Sequence, residues 1–327
     1  MAIETQFGYQ SEAAWGTAAT VNKFLPITSE SIAPVVDKVE ADARRAGIFV
    51  QRNDISLPIF KGAAGTVEMP IFNKGFGWWL THMVGTLTSG SVSDSAVTHT
   101  GTVSSLLNKS FTCQVNRRFS EANTDQTFTY EGCKIASWEI AAAVDEPVTA
   151  SFDIDAENEL TNTALATASY PTGLELLSWA HSASSVTIGG TAVPVTKVSV
   201  KCDNALKTDR YRIQASGLKR QQLQNGYRNI EFELECDWES LTQYNRVVST
   251  TTSGQYAQLV IAIAGPTLIG TSSRPSLTIT IPAARFDQVS IDNGMDPTMQ
   301  TLSGVARFDG TNSPITLAYV SADTSYA

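Results

Sequence analysis

The chain repeats one long pattern of predicted elements. A strand of alternating polarity runs directly into a short amphipathic helix at residues 65–85, and the same succession recurs at residues 229–249. Each copy then closes on two strands that flank an acidic residue followed by proline, at Pro147 and Pro297. The first copy carries an extra segment rich in Ser, Thr and Gly, residues 86–102. Because the period is too long for a solenoid repeat, the pattern predicts two fused copies of one domain.

Strand signals dominate both copies. Apolar and polar residues alternate over residues 148–155 and 277–281, which is the period of a half-buried strand. We therefore predict a mainly β protein built of duplicated β-sandwich or barrel modules, each with one short helix. The predicted divisions are an N-terminal segment 1–28, a first module 29–160, a linker with a hairpin 161–194, and a second module 195–327.

The two predicted helices, residues 76–84 and 240–248, each carry one apolar stripe. We expect both helices to cap a sandwich through these stripes. The members of the two stripes are Trp79, Leu80, Met83 and Val84 in the first copy, and Leu241, Tyr244, Val247 and Val248 in the second.

Composition narrows the possible partners. The 327 residues leave room for about two domains with real cores. Only 17% of residues are charged, as expected of a protein that buries much of its surface against partners. The formal net charge is −9, which argues against tight non-specific binding of nucleic acid, because such binding needs clustered Lys and Arg to displace counterions.

Nothing in the sequence predicts a membrane or an oxidising compartment. Residues 1–7 lack a basic stretch followed by an apolar run, so we expect no signal peptide and synthesis in the cytoplasm. The most apolar run, residues 259–265, is too short to cross a bilayer and is followed by Pro266. The four cysteines form no CxxC pair, so we predict buried, reduced thiols at Cys113, Cys133, Cys202 and Cys236.

Catalytic patterns are weak. The three histidines are scattered, which supports neither a metal site nor a Ser/His/Asp triad. The glycines at residues 75–77 lack the rest of a dinucleotide fingerprint. The acidic run 153–159 lacks the glycine and the closing glutamate of an EF-hand loop. We predict no catalytic, cofactor or metal site, and no enzyme.

One strand has an acidic face. In residues 230–239, apolar side chains alternate with Glu231, Glu233, Glu235 and Asp237. Carboxylates about 7 Å apart repel each other unless they are paired or face water. Two interpretations remain open. The carboxylates are paired across the sheet with basic residues such as Arg210, Arg212, Lys219 or Arg220, or they line a water-filled lumen in which a polyanion slides without sticking.

Two polar stretches of mixed charge precede the alternating strands, at residues 36–47 and 203–217, and each ends at a glycine. They are either solvated surface loops or arms that reach another subunit. The candidate arm residues are Asp37, Lys38, Glu40, Asp42, Arg44 and Arg45 in the first stretch, and Lys207, Asp209, Arg210 and Arg212 in the second.

Several short motifs, in this order and spacing, resemble tail tube (major tail) proteins of long-tailed, siphovirus-type bacteriophages. The resemblance covers nearly the whole chain. It is carried by FGYQSEAAWGTAAT (7–20), LPITSESI (25–32), the G-x-V-x-M strand before the helix that ends at Val84-Gly85, THT (98–100), FTYEGCKIASWEI (128–140) and EPVTASFDI (146–154).

The resemblance implies a structural virion protein of the phage tail. Such subunits form rings that stack into a hollow tube through which the genome passes, and a long loop or hairpin reaches the neighbouring ring. The implied partners are other copies of the chain, other tail proteins at the tube ends, and DNA that passes without specific binding. Single-module relatives form hexameric rings, so two fused modules imply a trimer with pseudo-sixfold symmetry, with a hexamer as the alternative.

Two other classes remain. A cell-surface adhesin or minor virion protein built from tandem sandwiches would be a stable monomer with exposed aromatic residues at its loop tips. A glycan-acting enzyme would need two carboxylates across a cleft, and no spacing in the chain nominates such a pair.

Overall fold

The computed structural model describes residues 5–118, 124–182, 185–213, 217–292 and 298–326. Its first half contains strands β1 (Gln6–Ser11), β2 (Lys23–Phe24), β3 (Ser29–Glu30), β4 (Ala33–Glu40), β5 (Ser56–Pro70), β6 (Gly85–Ser89), β7 (Val97–Val103), β8 (Phe111–Arg118), β9 (Asp125–Ala143), β10 (Thr149–Ala156) and β11 (Asn158–Leu160). Its second half contains β12 (Val186–Ile188), β13 (Thr191–Ala192), β14 (Val195–Asp203), β15 (Leu206–Lys207), β16 (Leu223–Gln224), β17 (Asn229–Asp237), β18 (Tyr256–Ala264), β19 (Ser276–Asp292), β20 (Met299–Ala306) and β21 (Thr316–Ser321).

Helices are few and short, so the prediction of a mainly β protein is confirmed. They are α1 (Gly77–Val84), α2 (Thr242–Val247) and α3 (Thr252–Gln255), with 3-10 turns at Asn53–Ile55 and Trp179–His181.

The two halves share one strand order. In the first half the antiparallel neighbours run β2, β1, β8, β9, β10, β5, β4, and in the second they run β13, β12, β18, β19, β20, β17, β14. A bulge also falls at the same place, between β9 and β10 at Asp153/Ile154 and between β19 and β20 at Phe286/Gln288. The hairpins β1–β2 and β12–β13, which lie outside the predicted modules, occupy matching edge positions.

The halves meet through the pairing of β9 with β14. This contact joins eight antiparallel strands into one continuous ladder, which we call the long sheet: β4, β5, β10, β9, β14, β17, β20 and β19. One face of the long sheet is the core, formed by buried residues such as Val67, Phe152, Trp138, Val200, Leu234 and Leu302. We call its opposite, hydrophilic side the polar face.

Strands β9 and β19 also belong to a second layer. The first part of β9 pairs with β8 and β11, and the first part of β19 pairs with β18 and β21. Hairpin β6–β7, formed by the extra segment of the first half, extends the second half's layer because β7 pairs with β21. Each half therefore folds as two facing layers that share one long strand.

Helix α1 is buried as predicted. All four residues of its apolar stripe have 0% exposure. Strand β1 supplies the cover, because Tyr9 lies 4.5 Å from Trp78 and 4.7 Å from Trp79 between ring centroids. From the sheet side, Phe152 stacks on Trp79 at 4.7 Å. This aromatic cluster fixes the helix between the layers of the first half.

Helix α2 follows its prediction only in part, because Val247 of the expected stripe packs against the core while other members do not. Leu241 and Val248 of the expected stripe are more than half exposed, and the buried residue of the helix is Gln243. The reason is a missing cover: β12 has only three residues, Val-Thr-Ile, and brings no aromatic ring to the helix. The periodicity of the sequence thus predicts the helix itself, but not which of its side chains are covered by other elements.

Candidate assembly surfaces

Strand β17 has the alternation that the sequence predicts. Ile230, Phe232, Leu234 and Cys236 are buried, while Glu231, Glu233, Glu235 and Asp237 lie on the polar face. The long sheet also places lysines here: Lys201 of β14 is directly opposite Glu231, and Lys197 is opposite Glu235. On the other side of β17, the partners of Glu233 and Glu235 are Ser303 and Thr301. The acidic face is therefore only partly balanced.

The basic partners suggested by the sequence are not in this sheet. Lys219 binds Asp155 at 2.5 Å in a buried ion pair. Arg210 and Arg212 donate to the carbonyl oxygens of Gln221 and Tyr211. Arg220, in the same chain segment, also lies outside the long sheet. The interpretation that these four residues neutralise the β17 face is wrong, because the described residues between β14 and β17, 204–213 and 217–228, lie outside the long sheet.

Lys197 and Lys201 were the missed residues of this surface. The signal was present, because the alternation of β14 puts both lysines on the side opposite Val198 and Val200. In the described part of the chain, neither lysine lies within ion-pair distance of a β17 carboxylate. The polar face is thus a water-facing wall with excess negative charge along β17.

The first candidate arm is a β-hairpin rather than a loop. Asp37, Lys38 and Glu40 belong to β4, and Asp42, Arg44 and Arg45 lie in the connection to β5. All eight residues of β4 are exposed. Asp37 forms an ion pair with Lys61 of β5.

The connection between β4 and β5 also carries an apolar tip, which no pattern in the sequence predicts: Phe49 and Val50 are 98% and 80% exposed. Two exposed apolar side chains on a projecting hairpin point to a covering partner.

The second candidate arm, residues 203–217, of which 214–216 lie outside the described ranges, touches the first half through Tyr211, and the chain that follows the arm makes further contacts there. Gln222, fully buried, donates to the Gly132 carbonyl and to the Asp155 carboxylate. Tyr211 donates its hydroxyl to the Lys61 carbonyl at 3.0 Å, and Arg228 reaches the Val84 carbonyl at 2.8 Å. These contacts tie Tyr211, Gln222 and Arg228 to the first half.

A buried lysine completes this docking site. Lys134 of β9 donates through Nζ to the carbonyl oxygens of Leu106 and Gln222, both at 2.9 Å. Burial lowers the pKa of Lys134 to about 8, because the ammonium has lost its water. Of the four predicted arm residues in this segment, Lys207 pairs with Asp209 in an exposed contact at 2.8 Å, and Arg210 and Arg212 have the carbonyl partners given above.

All four cysteines are free and buried, and burial raises the pKa of the Cys133, Cys202 and Cys236 thiols. Within the described ranges, no cluster of His, Cys, Asp or Glu is arranged to hold a metal ion. No helix among those residues is long and apolar enough to cross a membrane.

Comparison with known proteins agrees with the sequence resemblance. No curated protein matches the chain with significant similarity. The family described as phage tail tube protein, however, matches residues 3–306, which is nearly the whole chain. The mainly β fold with two facing layers is consistent with that match. The chain therefore belongs to the phage tail tube protein family, and it is a structural component of the phage virion.

Proposed function

We propose that the protein polymerises as stacked rings into the hollow tail tube that conducts the phage genome into the host. Beyond the family, the observation that supports this proposal is the long sheet. It continues unbroken through both halves, and in the described residues it ends at β4 and β19 without a further strand. An open sheet of this kind closes most simply by pairing with copies of itself.

The shared strand order supports a trimeric ring with pseudo-sixfold symmetry. If the halves are duplicated modules, the β9–β14 contact is one module junction that lies within the chain, and each ring needs an equal number of junctions between chains. Three copies contribute twenty-four strands, which at about 4.8 Å per strand close a sheet roughly 37 Å across before tilt widens it. A hexamer of chains would double the strand number.

The polar face suits the lumen. The second layers of the two halves do not pair with each other in the described part of the chain, whereas the long sheet is continuous. In a tube wall of two layers, the inner layer has the smaller circumference and the outer layer the larger. The continuous long sheet therefore fits the inner layer, and the second layers, which are separated from each other, fit the outer layer. The β17 carboxylates would then face passing DNA, which they repel over the roughly 8 Å of the Debye length. Clustered Lys or Arg would instead bind the duplex by releasing counterions.

Hairpin β4–β5 is our candidate for contact with the adjacent ring. Its tip exposes Phe49 and Val50, and its charged flanks include Arg44 and Arg45. Burying two such side chains on a neighbouring ring is worth about 1.5–3 kcal/mol for each. An equivalent role for Lys207, Asp209, Arg210 and Arg212 stays a prediction.

Electron microscopy of the purified, concentrated protein tests the proposal. We expect hollow tubes of uniform width, or isolated rings of the same diameter. The double variant Phe49→Ser/Val50→Ser should keep rings and lose stacking, while Val92→Ser, which changes an exposed residue of hairpin β6–β7, should leave tubes unchanged. A protein that stays monomeric under every condition would favour the tandem adhesin or minor virion protein instead.

A further inference from the structure

Each end of the long sheet has an unpaired edge. Strand β18 pairs with β19 only as far as Arg285, so the last part of β19 pairs with β20 alone among the described strands. At the opposite end, β5 is the partner of both β3 and β4, and no other strand of the described ranges pairs with them. Unpaired edges of this length bind further strands readily.

The counterparts of these two edges are paired with each other inside the chain. When the halves are aligned on their common bulge, Val289 and Ile291 of β19 take the places of Trp138 and Ile140 of β9. Strand β14 covers Trp138 and Ile140, which are 1% and 3% exposed. Without such a strand, Ile291 is 41% exposed. The apolar residues of the β19 edge thus lack the cover that their counterparts have.

The same alignment relates the other edge to β14. The β3–β4 edge pairs with β5 as β14 pairs with β17, and β5 takes the place of β17. Ile32 therefore takes the place of Val200, and Ala33 takes the place of Lys201. In the closed junction, Val200 is opposite Ile140 and Lys201 is opposite Glu139. The matching pairs at the open edges are Ile32 with Ile291, and Ala33 with Ser290.

We propose that the β19 edge of one copy pairs antiparallel with the β3–β4 edge of a second copy, in the register of the β9–β14 junction. This inference rests on the proposed ring and names its subunit contact. The occupant of each edge is a second copy, because the equivalent strands β9 and β14 already pair with each other inside the chain.

The free β3–β4 edge is capped by side chains. Ser31 donates its N–H to Thr66 of β5, so the N–H and C=O of Ile32 point away from the sheet. The Ile32 N–H donates to the Glu30 carboxylate. The Ile32 carbonyl accepts from the Arg117 guanidinium at 2.6 Å and from the Tyr130 hydroxyl at 3.0 Å.

In the second half, Ile263 and Ile281 take the places of Arg117 and Tyr130, and their side chains have no hydrogen-bonding group. Main-chain bonds from the second copy would therefore replace the cap at Ile32. Pro34, next along the edge, offers only its carbonyl, as is usual for proline on an edge strand.

A disulfide across the joint tests the register. Backbone hydrogen bonds alternate along β14. Asn204 donates its N–H to the Ala136 carbonyl of β9, and Val144, just after β9, donates its N–H to the Thr196 carbonyl. The even-numbered residues of β14 therefore form hydrogen bonds with β9. Lys201 and Glu139 are thus a non-hydrogen-bonded pair, and so are Ala33 and Ser290 in the proposed joint. Side chains in such pairs approach within about 4.5–5.5 Å between Cβ atoms, close to the reach of a disulfide.

The variant Ala33→Cys/Ser290→Cys should form covalent dimers and closed trimers on non-reducing gels, once assembled rings are oxidised. The matched control Ala33→Cys/Gln288→Cys, displaced by two residues on the same face, should cross-link several-fold less. The native thiols are buried and should contribute little. Rings that form without cross-links, or with equal cross-links in the control, would overturn this register while leaving the tube intact. Failure of the unsubstituted protein to form any ring would instead remove the proposed function.

Discussion

The two halves of the chain have the same strand order but differ in what covers them. In the first half, α1 lies under β1 and its aromatic residues, and the β9 edge is closed by β14. In the second half, α2 is partly exposed and the last part of β19 has no covering strand among the described residues. Ile140 is buried where the neighbouring strand belongs to the same chain, and Ile291 remains exposed where we expect a neighbouring copy.

A charge placed at matched positions of the closed and open edges should have the two halves respond differently. Ile140→Asp buries an unpaired carboxylate and should lower the free energy of unfolding by more than about 4 kcal/mol. Ile291→Asp should change the stability of the isolated chain by less than about 0.5 kcal/mol and abolish ring assembly. Chemical denaturation and electron microscopy measure the two effects. Equal destabilisation by both variants would show that the β19 edge is already buried.

Two ion pairs next to the candidate arms give a second comparison. Lys219→Ala leaves Asp155 buried without its partner and should cost about 3–5 kcal/mol of unfolding free energy. Lys61→Ala removes the ion pair with the exposed Asp37 and should cost no more than about 1 kcal/mol. If Lys219→Ala proved as mild as Lys61→Ala, the buried ion pair that ties Lys219 to the first half would be wrong.

The polar face can be tested by reversing its charge. Replacing Glu231, Glu233 and Glu235 with lysine should leave assembly nearly intact, because these side chains face water. DNA ejection from phage carrying the variant should slow, most strongly at low salt, where counterion release favours binding most. The matched control replaces the same residues with glutamine, which removes charge without adding a cation. Unchanged ejection with lysine would place the face outside the lumen, and loss of rings would place it in a subunit interface.

The smallest expected effect concerns the clasp between hairpin β6–β7 and the second half. Asp94 accepts from the backbone N–H groups of Thr271, Ser272 and Ser273, and these bonds hold its pKa far below the usual range. Since the folded pKa is depressed, the contribution to stability is present above about pH 4 and is lost as the pH falls further.

Asp94→Asn should therefore lower stability slightly at pH 7, and the difference should shrink in acid. Thermal unfolding of both proteins as a function of pH measures it. A gap that stays constant down to pH 2 would mean that the carboxylate charge is not what holds the clasp.

Local patterns in the sequence predicted the fold class and the facing of individual strands. The alternation around Phe232 and the stripe around Trp79 are confirmed, because burial on one face imposes its period on the residues themselves. The family resemblance also held. Pairings between distant segments were out of reach: nothing local indicates that Lys219 meets Asp155, or that residues 36–40 form a strand. The exposure of Leu241 was missed because it depends on the length of β12, a separate element.

In the proposed ring, one chain supplies two equivalent units. Native mass spectrometry of rings released from tubes, together with averaged end views by electron microscopy, tests it most directly. We expect a ring of three 35.1 kDa chains that shows six similar lobes. A ring of six chains, or three lobes with no sixfold repeat in the end view, would contradict it.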